Sequence, residues 1–159
     1  MAQHVINQVH KFLLKKGLTV AIAESCTGGL LSSLLTQISG SSKYFILGAV
    51  TYSNKAKKSL LGVPRRLIAQ EGAVSQQVAQ QMAESIRKIA KTDIGIATTG
   101  IAGPTGGSKQ KPVGTVFIAL NGINKKICER FHFTGSRSVI RKKTALAALE
   151  LLRNILLSR

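Results

Sequence analysis

Tryptophan is missing from this 159-residue chain, and two Tyr and five Phe are its only aromatic residues. With aromatics at 4% against 44% hydrophobic residues overall, the core must be built of Ala, Ile, Leu and Val, and few platforms remain for stacking on exposed bases. Acid is almost as scarce: six Asp and Glu face 23 Lys and Arg, for a formal charge of +17. Asp93 is the one aspartate, and His4, His10 and His132 are the only histidines. That leaves a Ser-His-Asp triad little material, and too few and too scattered ligands for metal-assisted hydrolysis. The two cysteines, Cys26 and Cys128, lie far apart without disulfide or zinc spacing, which fits a reduced cytoplasm. No apolar run reaches the roughly 18 residues of a membrane span, and the start Met1-Ala2-Gln3-His4-Val5 lacks the regions of a signal peptide. The expected location is therefore cytoplasmic. A P-loop is also missing, because Gly106-Gly107-Ser108-Lys109 holds suitable residues in the wrong order.

What is abundant is positive charge, which raises the local concentration of anionic ligands of any size. Nucleic acid, nucleotides and anionic surfaces are all admitted. A solvated basic surface with no dedicated partner fits equally well, since the cations are spread along the chain and cluster chiefly at Lys15-Lys16, Lys55 with Lys57-Lys58, Lys125-Lys126 and Arg141-Lys142-Lys143.

The chain length suits one domain spanning 1–159, with no internal repeat or linker. Apolar spacing predicts helices over about 2–16, from Thr27 to near Gly40, over about 55–61, shortly after Pro64, over 75–90 and over 137–157. Strands are predicted over 18–23, 44–52, 94–99, 113–121 and 126–133, the last two joined by a turn at Asn121-Gly122, with a Gly/Pro-rich loop over 100–112. Helices thus flank a mixed sheet in an α/β sandwich.

Ser25 stands where the first strand meets a helix, so its hydroxyl can project from the carboxyl edge of the sheet. The amides of Thr27, Gly28 and Gly29 are then candidate donors to an oxyanion. Ser25 or Thr27 would serve equally as a helix cap, and Cys26 is a rival nucleophile. With histidine scarce, Lys57 is the candidate base. It must lose roughly three units from a pKa of about 10.4, or about 4 kcal/mol, which the dipole of a first helical turn and the nearby Lys55 and Lys58 would favour. A solvated surface lysine is the plainer reading. Tyr52, at a strand end, is placed to relay a hydrogen bond between Ser25 and Lys57. The glycines of the 100–108 loop let Gly106, Gly107 and Ser108 approach a phosphate closely, with Lys109 and Lys111 adding charge, although a plain connection would look the same.

Taken together, Ala23-Glu24-Ser25-Cys26-Thr27-Gly28-Gly29, Thr51-Tyr52-Ser53-Asn54-Lys55-Ala56-Lys57, Leu60-Leu61-Gly62-Val63, Gly72-Ala73-Val74-Ser75, Gly100-Ile101-Ala102-Gly103-Pro104 and Lys111-Pro112-Val113-Gly114-Thr115-Val116 form an ordered set. This set resembles the signature blocks of the CinA carboxy-terminal domain family, which includes stand-alone nicotinamide mononucleotide amidohydrolases. The resemblance runs from about residue 5 to residue 157. It implies a three-layer α/β/α sandwich with a mixed central sheet, and hydrolysis of the carboxamide of nicotinamide mononucleotide to nicotinate mononucleotide and ammonia. It also implies no cofactor or metal, a small nucleotide as partner, and a possible homodimer. By position, Ser25 would be the nucleophile, Lys57 the base and Tyr52 an auxiliary hydroxyl. Two departures stand out: Lys55 replaces an acid, and Thr105 stands where Asp is common. The competing expectations are a basic nucleic-acid-binding module and a catalytically inactive protein that still binds pyridine nucleotides.

Overall fold

The computed structural model describes residues 2–158. Its elements run α1 (Ala2–Lys16), β1 (Val20–Glu24), α2 (Leu30–Thr36), a single 3-10 turn (Ser41–Lys43), β2 (Phe45–Val50), α3 (Asn54–Leu61), α4 (Arg65–Glu71), α5 (Gln76–Ala90), β3 (Ile94–Gly100), β4 (Thr115–Gly122), β5 (Lys125–His132) and α6 (Arg137–Leu157). The sheet order is β2-β1-β3-β4-β5. β1 pairs in parallel with both β2 and β3, whereas β3, β4 and β5 pair antiparallel. The mixed sheet expected from the pattern is thus present, with helices on both sides.

Strand β1 is buried along its whole length because each face meets a helical layer. Val20 and Ile22 join a core with residues of α1 and α6, such as Val9, Leu13, Leu149 and Leu152. Ala21 and Ala23 point the other way, into a core with Val78, Met82 and Ile86 of α5. Serine hydroxyls mark three helix starts: Ser53 accepts from the Ala56 amide, Ser75 from Val78 and Ser136 from Val139. Among the described residues no helix is long and apolar enough to cross a membrane.

The turn expected at Asn121-Gly122 lies two residues later. Asn121 and Gly122 still pair with Lys126 and Lys125, and the reversal falls on Ile123 and Asn124, with φ 54° and 59°. Left-handed backbone at both central positions is what a two-residue hairpin of right-twisted strands requires. Gly122 serves a different need: a Cβ there would stand 2.0 Å from the Asp93 carbonyl oxygen, so the strands approach only without a side chain.

Candidate active site

The three parallel strands β2, β1 and β3 end at the same edge of the sheet, and the segment leaving each one supplies part of a single site. From β1 comes Ser25, whose N–H continues the ladder to the Thr98 carbonyl at 3.0 Å, so its backbone is held by the sheet itself. From β2 come Thr51 and Tyr52, followed by Ser53 as the cap of α3. Lys57 projects from the first turns of α3 back beneath the sheet edge, with only 1% of its surface exposed. From β3 comes the loop Ile101 to Gly106.

Lys57 Nζ lies 3.0 Å from Ser25 Oγ, 3.0 Å from the Thr51 carbonyl oxygen and 3.2 Å from that of Tyr52. A protonated lysine would donate to all three. A neutral amine has two N–H groups, which the two carbonyls take, and its lone pair then faces the Ser25 hydroxyl, whose proton it accepts. Burial favours this neutral state by pushing the Lys57 pKa below its ordinary 10.5. Among charged groups only an ionised Cys26 would oppose the shift, and burial pushes that thiol up to about 12, so it stays a neutral S–H. The depression therefore has one physical cause, the removal of the ammonium from water. The exposed side chains of Lys55 and Lys58, expected to contribute, are not its source.

Glu24, Thr27 and the two glycines shape the turn around Ser25. Gly28 and Gly29 adopt φ 58° and 96°, which only glycine takes readily, and bring the start of α2 over the buried Glu24. The expected set of oxyanion donors is only partly free. Gly28 N–H donates to the Ser25 carbonyl and Gly29 N–H to Glu24 Oε2, because the tight turn folds both amides inward. The Thr27 hydroxyl shares a 2.8 Å hydrogen bond with Thr98 in the interior. The N–H groups of Cys26 and Thr27 have no backbone acceptor among the described residues.

Two expectations for the rest of the site need correction. Tyr52 does not bridge Ser25 and Lys57, which touch directly. The residue is 56% exposed and its hydroxyl accepts from Arg137 Nη2 at 2.7 Å, while its carbonyl is the atom that meets Lys57. The loop expected to meet a phosphate contributes less than the sequence suggests. Gly106 lines the cavity above Ser25, but Gly107 packs against Val113 and Ser108 turns away, its N–H donating to the Lys111 carbonyl and its hydroxyl accepting from the Lys111 amide.

That cavity measures about 260 Å3 and is lined by Ser25, Lys57, Asn54, Thr99, Thr105 and Arg137 among others, with no carboxylate among the described residues of its wall. The first turns of α6 hold its parts together. Arg137 Nη1 donates to the Gly103 carbonyl at 2.9 Å, and one turn later Arg141 donates from Nε to Cys26 O at 3.2 Å and from Nη2 to Thr27 O at 2.9 Å. Arg137 stands in no residue-type pattern, and Arg141 is visible only as part of the Arg141-Lys142-Lys143 cluster. The available signal was their position: two cations four residues apart at a helix N-terminus, where the dipole disfavours positive charge, require a local reason.

The CinA C-terminal domain family matches residues 2–156 of this chain. A CinA-like protein of Syntrophus aciditrophicus (strain SB) is 52% identical over 149 residues, 93% of this chain and 36% of that protein. A CinA-like protein of Geobacter metallireducens is 53% identical over 150 residues, 94% of this chain and 36% of its own. The chain thus spans 36% of the length of these curated relatives. Among solved structures, a CinA superfamily protein from Klebsiella pneumoniae superimposes with a TM-score of 0.95 at 32% identity, covering 100% of this chain and 99% of that one. The competence/damage inducible protein CihA from Agrobacterium tumefaciens gives a TM-score of 0.94 at 39% identity, covering 98% and 94%. With the family match spanning nearly all of the described residues, the chain belongs to the CinA C-terminal domain family.

Proposed function

We propose that this chain is an amidohydrolase that converts nicotinamide mononucleotide to nicotinate mononucleotide and ammonia, with Ser25 as nucleophile and Lys57 as its general base. The observation that carries the reading is the 3.0 Å contact between Ser25 Oγ and a buried lysine whose burial favours the neutral amine. A lysine at 1% exposure with no carboxylate partner is costly in its charged form, and a cavity opening onto the serine beside it gives that arrangement a use.

In the first half-reaction, the neutral Lys57 amine takes the Ser25 proton as Oγ attacks the carboxamide carbon. The oxyanion is held at the backbone N–H of Cys26, which follows Ser25 in the cavity wall, in place of the Thr27, Gly28 and Gly29 amides expected from the sequence, since none of those three residues lines the cavity. Lys57 then returns its proton to the departing amine, ammonia leaves, and a nicotinoyl ester of Ser25 remains. In the second half, Lys57 deprotonates water, which attacks the ester carbon. The Ser25 alkoxide recovers the proton from Lys57, and nicotinate mononucleotide is released. The fixed positive charge of the substrate ring makes its carboxamide carbon more electrophilic. A phosphate at the far end supplies binding energy away from the reacting carbon, with Gly106 at the cavity wall beside it.

The test is ammonia release from nicotinamide mononucleotide by the purified protein, with Ser25→Ala as control. Release by the wild type and none by the variant is the expected result; no release by either, with ligand binding retained, would favour a nucleotide-binding protein without turnover. Nucleic-acid binding, which the +17 charge admits, would instead show affinity for duplex or single-stranded DNA falling steeply with salt.

A further inference from the structure

The cavity has one permanent cation. Lys57 lies at its floor and burial favours its neutral form, whereas a guanidinium stays protonated, so Arg137 at the rim carries the lasting positive charge. That charge has no acidic partner: among the described residues the ion pairs are those of Lys88 and Lys126 with Glu84, and the cavity wall contains no carboxylate. The two bonds to Gly103 O and Tyr52 Oη use two of the five guanidinium N–H groups. They also fix the plane of the fork between the loop after β3 and the end of β2. Arg137 is the first residue of the 21-residue α6, so the helix dipole adds to its attraction for an anion. Thr105 and Gly106 complete the same stretch of wall, whereas Gly107 and Ser108 do not reach it.

We infer that Arg137 is the specificity-determining residue of this cavity. It selects amide substrates that carry a phosphate monoester on the group beyond the ring, and Tyr52, through its hydroxyl, is the positioning residue that holds the guanidinium over the opening. This inference rests on the amidohydrolase reading of Ser25 and Lys57. It places phosphate recognition on a planar, bidentate donor from α6 and not on the glycine loop. It also assigns Tyr52 a role in selection in place of proton relay.

The experiment compares nicotinamide mononucleotide with nicotinamide riboside as substrates of the wild type, Arg137→Gln, Arg137→Lys and Tyr52→Phe. Arg137→Gln should lower kcat/KM for the mononucleotide by about 10- to 100-fold, chiefly through KM, while the riboside changes by less than about threefold. Arg137→Lys should recover part of that loss, and Tyr52→Phe should show a smaller loss confined to the mononucleotide. Equal losses on both substrates would overturn the inference, since a residue that merely ties the loops together affects both, and so would unchanged kinetics on both. A second arm needs no turnover: calorimetric binding of nicotinate mononucleotide and nicotinate riboside to Ser25→Ala, with and without Arg137→Gln. The phosphate should tighten binding, and the added substitution should remove that gain. Absence of ammonia release from the wild type would sink the amidohydrolase reading alone, whereas a phosphate gain that is missing, or that survives Arg137→Gln, would sink the role of Arg137.

Discussion

The hydroxyl of Ser32 donates to Glu24 Oε1 at 2.6 Å, and the Ser32 amide donates to the same oxygen at 2.8 Å. The other carboxylate oxygen accepts the N–H groups of Gly29 and Leu31, both at 3.1 Å. Glu24 is therefore a fully buried acid held by the amides that open α2, and it is the residue immediately before Ser25, the proposed nucleophile. The α2 amides need that acceptor, and the turn carrying Ser25 takes its shape from their meeting.

Replacing Glu24 with Ala leaves four donors facing a void. At about 1–3 kcal/mol for each buried unsatisfied group, and with partial relaxation, the variant should lose roughly 3 kcal/mol or more. For a chain of this size that is about 6–12 °C in Tm. Glu24→Gln keeps the shape and one acceptor, so it should lose less. Chemical denaturation of both variants checks this, and an Ala variant as stable as wild type would mean that the turn holds itself without the carboxylate.

Lys57 makes stability depend on pH in a definite direction. Its pKa is lowered in the folded chain, so between that value and 10.5 the unfolded chain binds more protons than the folded one. Stability accordingly rises with pH through this window, and the penalty is greatest below it. Lys57→Met has no such proton. The difference in unfolding free energy should move in favour of the wild type as pH is raised from about 6 to about 10. A constant difference would mean that the lysine is no harder to protonate when folded. The same shift predicts that kcat/KM rises with pH through the lowered pKa, as the amine becomes available as a base.

Much of this was legible in the sequence because the signals were local. The burial of β1 on both faces follows from its unbroken apolar run, and the strand-turn-helix order put Ser25 at the sheet edge. Lys57 was legible as a candidate but not its burial, because eight residues of α3 carry three lysines, and only the packing shows which one turns inward. Arg137 lies 85 residues from Tyr52, and no local pattern predicts that contact. The turn at Ile123-Asn124 was hidden for a different reason. Asn121-Gly122 is a strong hairpin signal, yet the glycine is needed for the close approach of Asp93, a long-range demand that imitates a local one.

Ser25→Ala should abolish ammonia release, by about a thousandfold or more, while leaving nucleotide affinity within a few-fold, because the hydroxyl acts in the covalent step. Cys26→Ala should stay active. Its thiol is buried and raised to about 12, which leaves almost no thiolate at neutral pH to compete as nucleophile. Ammonia assays and calorimetry on both variants decide the matter, and loss of activity in Cys26→Ala with retention in Ser25→Ala would reverse the assignment.

Lys55 offers the sharpest contrast between what the sequence suggests and what the fold allows. Two residues before Lys57, its charge looks able to depress the lysine pKa, so that Lys55→Glu would raise the acidic limb of the rate profile by about one unit at an effective dielectric near 20. In the structure the two side chains part company. Residues two apart on a helix do not share a face, Lys55 is exposed, and Lys57 Nζ lies inside against Ser25 and the Thr51 and Tyr52 carbonyls. Water and salt between an exposed charge and a buried amine screen most of the coupling. The direction survives, since a carboxylate favours the ammonium. The size should fall below about half a unit at low salt and disappear near 1 M, where the Debye length is about 3 Å. The measurement is the pH dependence of kcat/KM for wild type and Lys55→Glu at both ionic strengths. A full-unit shift that persists at high salt would place Lys55 inside the cavity in solution, and the burial account of the Lys57 pKa would then be incomplete.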